Sequence, residues 1–119
     1  MAEDAAEAMS DRLRADLKTA MRERRQDEVR VLRSLIGAID NAQAVPVAPG
    51  HQPYVAQAFG EGAAEVPRLV LSGADVARVL AEEVSSRENA AEDMARLGQV
   101  ERAALLREEA GIVRRYLEG

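Results

Sequence analysis

Nucleophilic catalysis needs a nucleophile, a base and a group that orients the base, and this chain offers one imidazole, His51, for the middle role. There is no cysteine, which removes thiolate chemistry, sulfur-ligated metals and disulfides together. His51 lies between Pro49 and Pro53, so it reads as a solvent-facing loop histidine rather than a catalytic or metal-binding one. Helical carboxylate metal sites pair a glutamate with a histidine three residues on, and that spacing does not occur here. Glu82 with Glu83 and Glu108 with Glu109 are adjacent pairs whose side chains diverge by about 100° around a helix, which suits a solvated face better than a shared cation. Acids that meet only through folding leave no spacing to read. A glycine-rich phosphate loop following a strand is also missing. No catalytic, cofactor-binding or metal-ligating residue is therefore expected.

The electrostatic feature above background is the span Arg12 to Arg33. It carries eight basic residues, Arg12, Arg14, Lys18, Arg22, Arg24, Arg25, Arg30 and Arg33, against four acids, Asp16, Glu23, Asp27 and Glu28, a local balance of +4. Forked arginine donors suit RNA phosphates and acidic protein surfaces alike. A third reading is intramolecular, with the arginines pairing with acids in the segment after residue 68. No aromatic residue interleaves with the basic ones, so the stacking platforms of single-strand binders are missing. The expected contact face is Arg14, Lys18, Arg22 and Arg25, with Arg30 and Arg33 nearby.

Helices must position these charges. Proline lacks a backbone donor and clashes with the preceding helical turn. All four prolines, Pro46, Pro49, Pro53 and Pro67, fall between Ala44 and Leu71, which leaves the chain on either side free to run as long helices. The first nine residues offer little apolar surface and are expected to fray. Leu13, Leu17, Ala20 and Met21 mark a first helix from Ser10 to about Arg25. Asp27 is placed to cap a second, whose stripe is Val29, Leu32, Leu35, Ile36 and Ile39. Gly37 inside it is explained either by a close approach or by drift within a well-packed helix.

Residues 44–71 read as a long loop, either disordered or docked through Tyr54, Val55 and Phe59. Pro67 to Leu71 is short enough to be extended, yet lacks a strand partner. Ser72 and Asp75 form a capping pair for a third helix reaching Leu97, with Val76, Val79, Leu80, Val84, Ala91 and Met94 on one face. Glu83 with Arg87 and Glu92 with Arg96 stand four apart in the acid-first order that favours surface pairing. Gly98 suits the left-handed position past a helix end. A fourth helix opens at Gln99, with Val100, Ala104, Leu105, Val113, Tyr116 and Leu117 as its expected buried members. Gly111 inside it is a possible kink or contact point.

The prediction is one all-α domain over 1–119, two antiparallel helical hairpins joined by the proline-rich loop. At 119 residues the core is modest, and three aromatics, Tyr54, Phe59 and Tyr116, keep it largely aliphatic. The absence of cysteine favours a cytoplasmic setting, and no run approaches membrane-spanning length. Met1 to Met9 lacks the basic start and apolar centre of a secretion signal. A net charge of −5 opposes indiscriminate attraction to phosphate backbones, so no DNA partner is expected and any nucleic-acid contact must come from a patch.

At Asp27 to Gln43, DEVRVLRSLIGAIDNAQ, the chain resembles the helical part of the YqeY-like family, which is related to the C-terminal region of the B subunit of the tRNA-dependent amidotransferase. Leu13 to Arg25, LRADLKTAMRERR, is similar to the family's opening helix, and Ser72 to Leu117 follows its capped helix, Leu97-Gly98 break and final helix. In the family a small tail domain implicated in holding tRNA follows these helices, and Gly119 stands where it would begin; Glu118 replaces a common proline, and the 44–71 loop is longer than the usual link. The amidotransferase's ligase chemistry resides in a different domain. The resemblance implies a non-catalytic accessory helical module, linked to tRNA or to an amidotransferase-like protein and without a cofactor. The alternatives are a protein-interaction module, such as a homodimer completing the thin core, and a carbon–nitrogen ligase-related protein by family association alone.

Overall fold

Apolar residues at three-to-four spacing become four helices in the computed structural model, which describes residues 4–44 and 68–119. They are α1 (Ala5–Arg22), α2 (Gln26–Gln43), α3 (Gly73–Arg96) and α4 (Val100–Glu118), and the fold is all-α. Short connections turn the chain back after α1 and after α3. Each helix therefore packs chiefly on its sequence neighbour, while α2 touches α3 and α4, and α1 touches α3. His51, Tyr54, Val55, Phe59 and the body of the proline-rich loop lie outside the described residues.

The interior is aliphatic. Leu13 of α1, Leu32, Leu35 and Ile39 of α2, and Leu80 of α3 are at most 1% exposed. Burying a side chain of this size is worth about 1.5–3 kcal/mol each relative to leaving it in water. Such burial supplies what isolated helices of this length lack. Val29 and Ile36, expected on the same stripe, are half-buried, and Val31 is buried in their stead.

Helix α1 starts five residues earlier than the apolar pattern indicates. Asp4 caps it by accepting from the Ala6 and Glu7 amides at 3.0 and 3.2 Å. Ala6 is fully buried and Ser10 nearly so. The expected fraying of residues 1–9 is thus corrected for 4–9. Small side chains fit a tight helix contact but carry almost no hydrophobic signal. The other end is shorter, at Arg22 rather than Arg25.

Asp27 does not cap α2. Arg25 holds that position without a side-chain cap, and Asp27 sits in the first turn, where it accepts from Arg30 at 2.8 Å. A methyl group added at Gly37 or Gly111 would meet nothing within 4 Å, which removes close approach as the reason for either glycine. The Ser72–Asp75 capping box is present, each side chain bonded at 3.0 Å to the other residue's amide. The Ser72 backbone N–H, and then Arg78, hold the Asp75 carboxyl below its usual range. Before it, Leu69 donates to the Gln43 carbonyl at 2.8 Å beside an isolated antiparallel bridge between Ala44 and Arg68. The segment after Pro67 does find a partner, at the end of α2.

In α4 two of the six residues expected to face inward do so. Val113 and Tyr116 are buried, whereas Val100 is 71% exposed and Ala104, Leu105 and Leu117 face outward. Ala103, Glu109 and Ala110 take the interior positions. Ala91 is the last buried residue of α3, so the α3–α4 turn, with Leu97 and Val100 largely exposed, stands clear of the core.

Candidate functional site

The six candidate cations divide into two populations. Arg14, Lys18 and Arg22 stand four apart on α1, all exposed. A rise of 1.5 Å per residue spaces them about 6 Å apart along one side of the helix. Among the described residues none of the three forms an ion pair, and neither do Arg24 and Arg33.

Arg25 and Arg30 are engaged. Arg25 pairs with Glu23 at 3.0 Å and with Glu28, and Glu28 also accepts from Arg115 of α4 at 3.0 Å. Arg30 donates to Asp27 and, at 3.3 and 3.2 Å, to Glu109 of α4. Glu109 is buried, and Arg87 of α3 approaches its other oxygen at 3.5 Å, too long and ill-aimed for Arg87 Nε to count as hydrogen-bonded. Arg87 also donates to Glu83 at 2.8 Å and to Ser34 of α2 at 3.1 Å. The Glu83–Arg87 pair is therefore half-buried and joins three helices, while Arg96 pairs with Asp93 instead of the expected Glu92. Pairing with acids of the second hairpin accounts for Arg30 but leaves Arg14, Lys18, Arg22, Arg24 and Arg33 available.

The α1–α2 turn brings two of the available cations to a corner. Backbone N–H groups of Arg24 and Arg25 donate back to the Met21 and Ala20 carbonyls at 3.2 and 2.9 Å. This is the helix-ending turn that places its penultimate residue in the left-handed region, a place glycine usually fills. Here Arg24 occupies it, at φ 60°. Sequence reasoning assigned no role to Arg24, since the acid- and arginine-rich run MRERRQDE contains no glycine or proline to mark a turn. Met21, Arg24, Gln26, Val29, Arg30 and Arg33 line a shallow concavity of about 750 Å³ at this corner, with no carboxylate among the described residues of its wall. Met21 is 50% exposed, and the Arg33 guanidinium lies 4.0 Å from its sulfur.

Midway along α1, Arg12 stacks 4.5 Å over the Tyr116 ring, whose hydroxyl donates to Asp16 at 2.5 Å. Burial and then the Asp16 carboxylate push the phenol well above its ordinary range. An apolar groove of about 370 Å³ opens beside it between Ala5, Met9, Val76, Leu80 and Leu117. Among the described residues no group of three His, Cys, Asp or Glu side chains is placed to hold a metal ion, and no helix is long and apolar enough to cross a membrane. No family model matches the chain, and no curated protein or solved structure matches it either.

Proposed function

We propose that this chain is a non-catalytic accessory helical module of the cytoplasm that engages RNA, with tRNA as the class suggested by its resemblance to the YqeY-like and amidotransferase B-subunit helices. The observation that carries the reading is the row Arg14, Lys18 and Arg22, exposed and without ion pairs among the described residues of a protein of net charge −5. A row that no described acid compensates concentrates positive potential where counterion release makes phosphate binding favourable. The Glu109 cluster secures the scaffold behind it by tying α2, α3 and α4 together.

Titration of tRNA at several salt concentrations tests this. Binding is expected to weaken steeply with salt, and Arg14→Ala, Lys18→Ala and Arg22→Ala combined should flatten the slope of log affinity against log salt by about 2 to 3, near 0.7 per lost contact on single strands and 0.9 on duplex. Absence of binding at low salt, or an unchanged slope in the triple variant, refutes the reading.

One observation favours a second reading, a self-association module: the apolar groove between Ala5, Met9, Val76, Leu80 and Leu117 is open on one side. Sedimentation velocity across micromolar concentrations distinguishes the two, because a monomer throughout removes self-association and leaves RNA binding intact.

A further inference from the structure

Two features of the α1–α2 corner do not follow from a phosphate-binding row on α1. The first is the conformation of Arg24, a non-glycine residue in the left-handed region. That backbone carries strain that a glycine would avoid, and residues held in such strain cluster at functional positions. The second is the lining: cations Arg24, Arg30 and Arg33 around an apolar floor of Met21 and Val29.

A surface that only met phosphates would not need the floor, and carboxylate side chains of an acidic protein have no flat body to cover it. A nucleotide carries both parts, an anionic phosphate and a planar base. The chain lacks aromatic platforms in this region, yet a half-exposed thioether beside a guanidinium offers an equivalent surface, since bases stack on arginine planes as well as on rings. Arg30 is committed to Asp27 and Glu109, which leaves Arg24 and Arg33 as the donors turned to the ligand.

We propose that the corner concavity holds one unstacked nucleotide of an RNA single strand, its phosphate on Arg24 and Arg33 and its base against Met21 and Val29. The inference rests on the RNA reading above and assigns the strand type that the row on α1 leaves open. The row follows the backbone of the same molecule, and the corner takes the residue that leaves the stack.

The experiment uses the full chain and a labelled RNA stem in two forms, blunt and extended by four unpaired nucleotides, with fluorescence anisotropy as the readout. The extension is expected to tighten binding about 5- to 10-fold, in line with the worth of one stacked base. Arg24→Gly, and separately Met21→Ala, should return the extended RNA to the affinity of the blunt one without weakening the blunt complex. Arg24→Gly should at the same time raise the melting temperature, a combination that loss of fold cannot produce. Arg33→Ala serves as a second variant that leaves the turn untouched.

Equal affinities for the two RNAs overturn the corner site while leaving the α1 row standing. An extension effect that survives Arg24→Gly and Arg33→Ala also overturns it, by placing the nucleotide elsewhere. Binding of neither RNA removes both the site and the reading beneath it. Displacement of the extended RNA by polyglutamate at equal charge concentration would assign the corner to an acidic protein instead.

Discussion

The two helical hairpins close with the same backbone turn and fill it differently. After α1, Arg24 and Arg25 donate to Met21 and Ala20; after α3, Gly98 and Gln99 donate to Ala95 and Met94 at 3.0 and 2.8 Å. Gly98, at φ 79°, takes the left-handed position at little cost, and Arg24 takes it under strain. Yet the relaxed turn is the one that projects from the core between exposed Leu97 and Val100. The strained turn closes the hairpin that holds Leu13, Leu32, Leu35 and Ile39, and such a well-anchored hairpin can sustain a local penalty. That difference marks the α1–α2 corner as the place where stability has been given up for a side chain.

The largest effect should come from the anchors. Leu32→Ala is expected to lower stability by about 3 kcal/mol, whereas Leu97→Ala at the projecting turn should change it by less than about 0.5 kcal/mol, both read from urea midpoints. Comparable losses at the two positions would show that the second hairpin is as deeply packed as the first. Glu109→Ala, which removes the acid that Arg30 and Arg87 share across the helices while leaving Arg87 its Glu83 partner, should cost about 1.5 kcal/mol.

Opposite signs are expected at the turns themselves. Gly98→Ala should destabilise by about 1 kcal/mol and Arg24→Gly should stabilise by about 0.5 kcal/mol, measured as shifts in thermal midpoint. The same sign at both would dissolve the comparison.

Tyr116 links the hairpins and gives the comparison a pH signature. Its folded phenol titrates above the ordinary value, so the neutral form is the one the fold prefers. The stability it contributes is complete below about pH 10 and is lost as pH rises toward the folded value. In a Tyr54→Phe background, ultraviolet titration should show the remaining phenol ionising only with alkaline unfolding, and ionisation near pH 10 in the folded state would contradict the Asp16 contact. Tyr116→Phe should cost about 1 kcal/mol. At the bottom of the scale, Arg96→Ala should be silent, since its pair with Asp93 is solvent-exposed on both sides.

Much of the architecture is legible along the chain. Ser72 with Asp75, Gly98, and the stripe of Leu32, Leu35 and Ile39 each act through neighbours within one or two turns, and each takes the role its spacing indicates. Ala6, Ser10, Ala103 and Ala110 are invisible by the same method, because their contribution is their smallness against a facing helix. Of the candidate contact residues, all six are recognisable as cations, and Arg25 and Arg30 have acids within three residues in Glu23, Glu28 and Asp27, but nothing local points to the bond from Arg30 to Glu109.

Amino-acid order alone settled that this protein would be helical, which residues would mark the start and end of α3, and that positive charge would gather between Arg12 and Arg33. Order also sets Glu23, Glu28 and Asp27 within reach of Arg25 and Arg30, but only the fold laid Glu109 and Arg115 of α4 against α2. The left-handed Arg24 and the apolar floor beneath it arose at the same level. Propensity and capping act over a few residues, whereas the partner of a guanidinium is whatever carboxylate the next helix carries to it, here from 79 residues away.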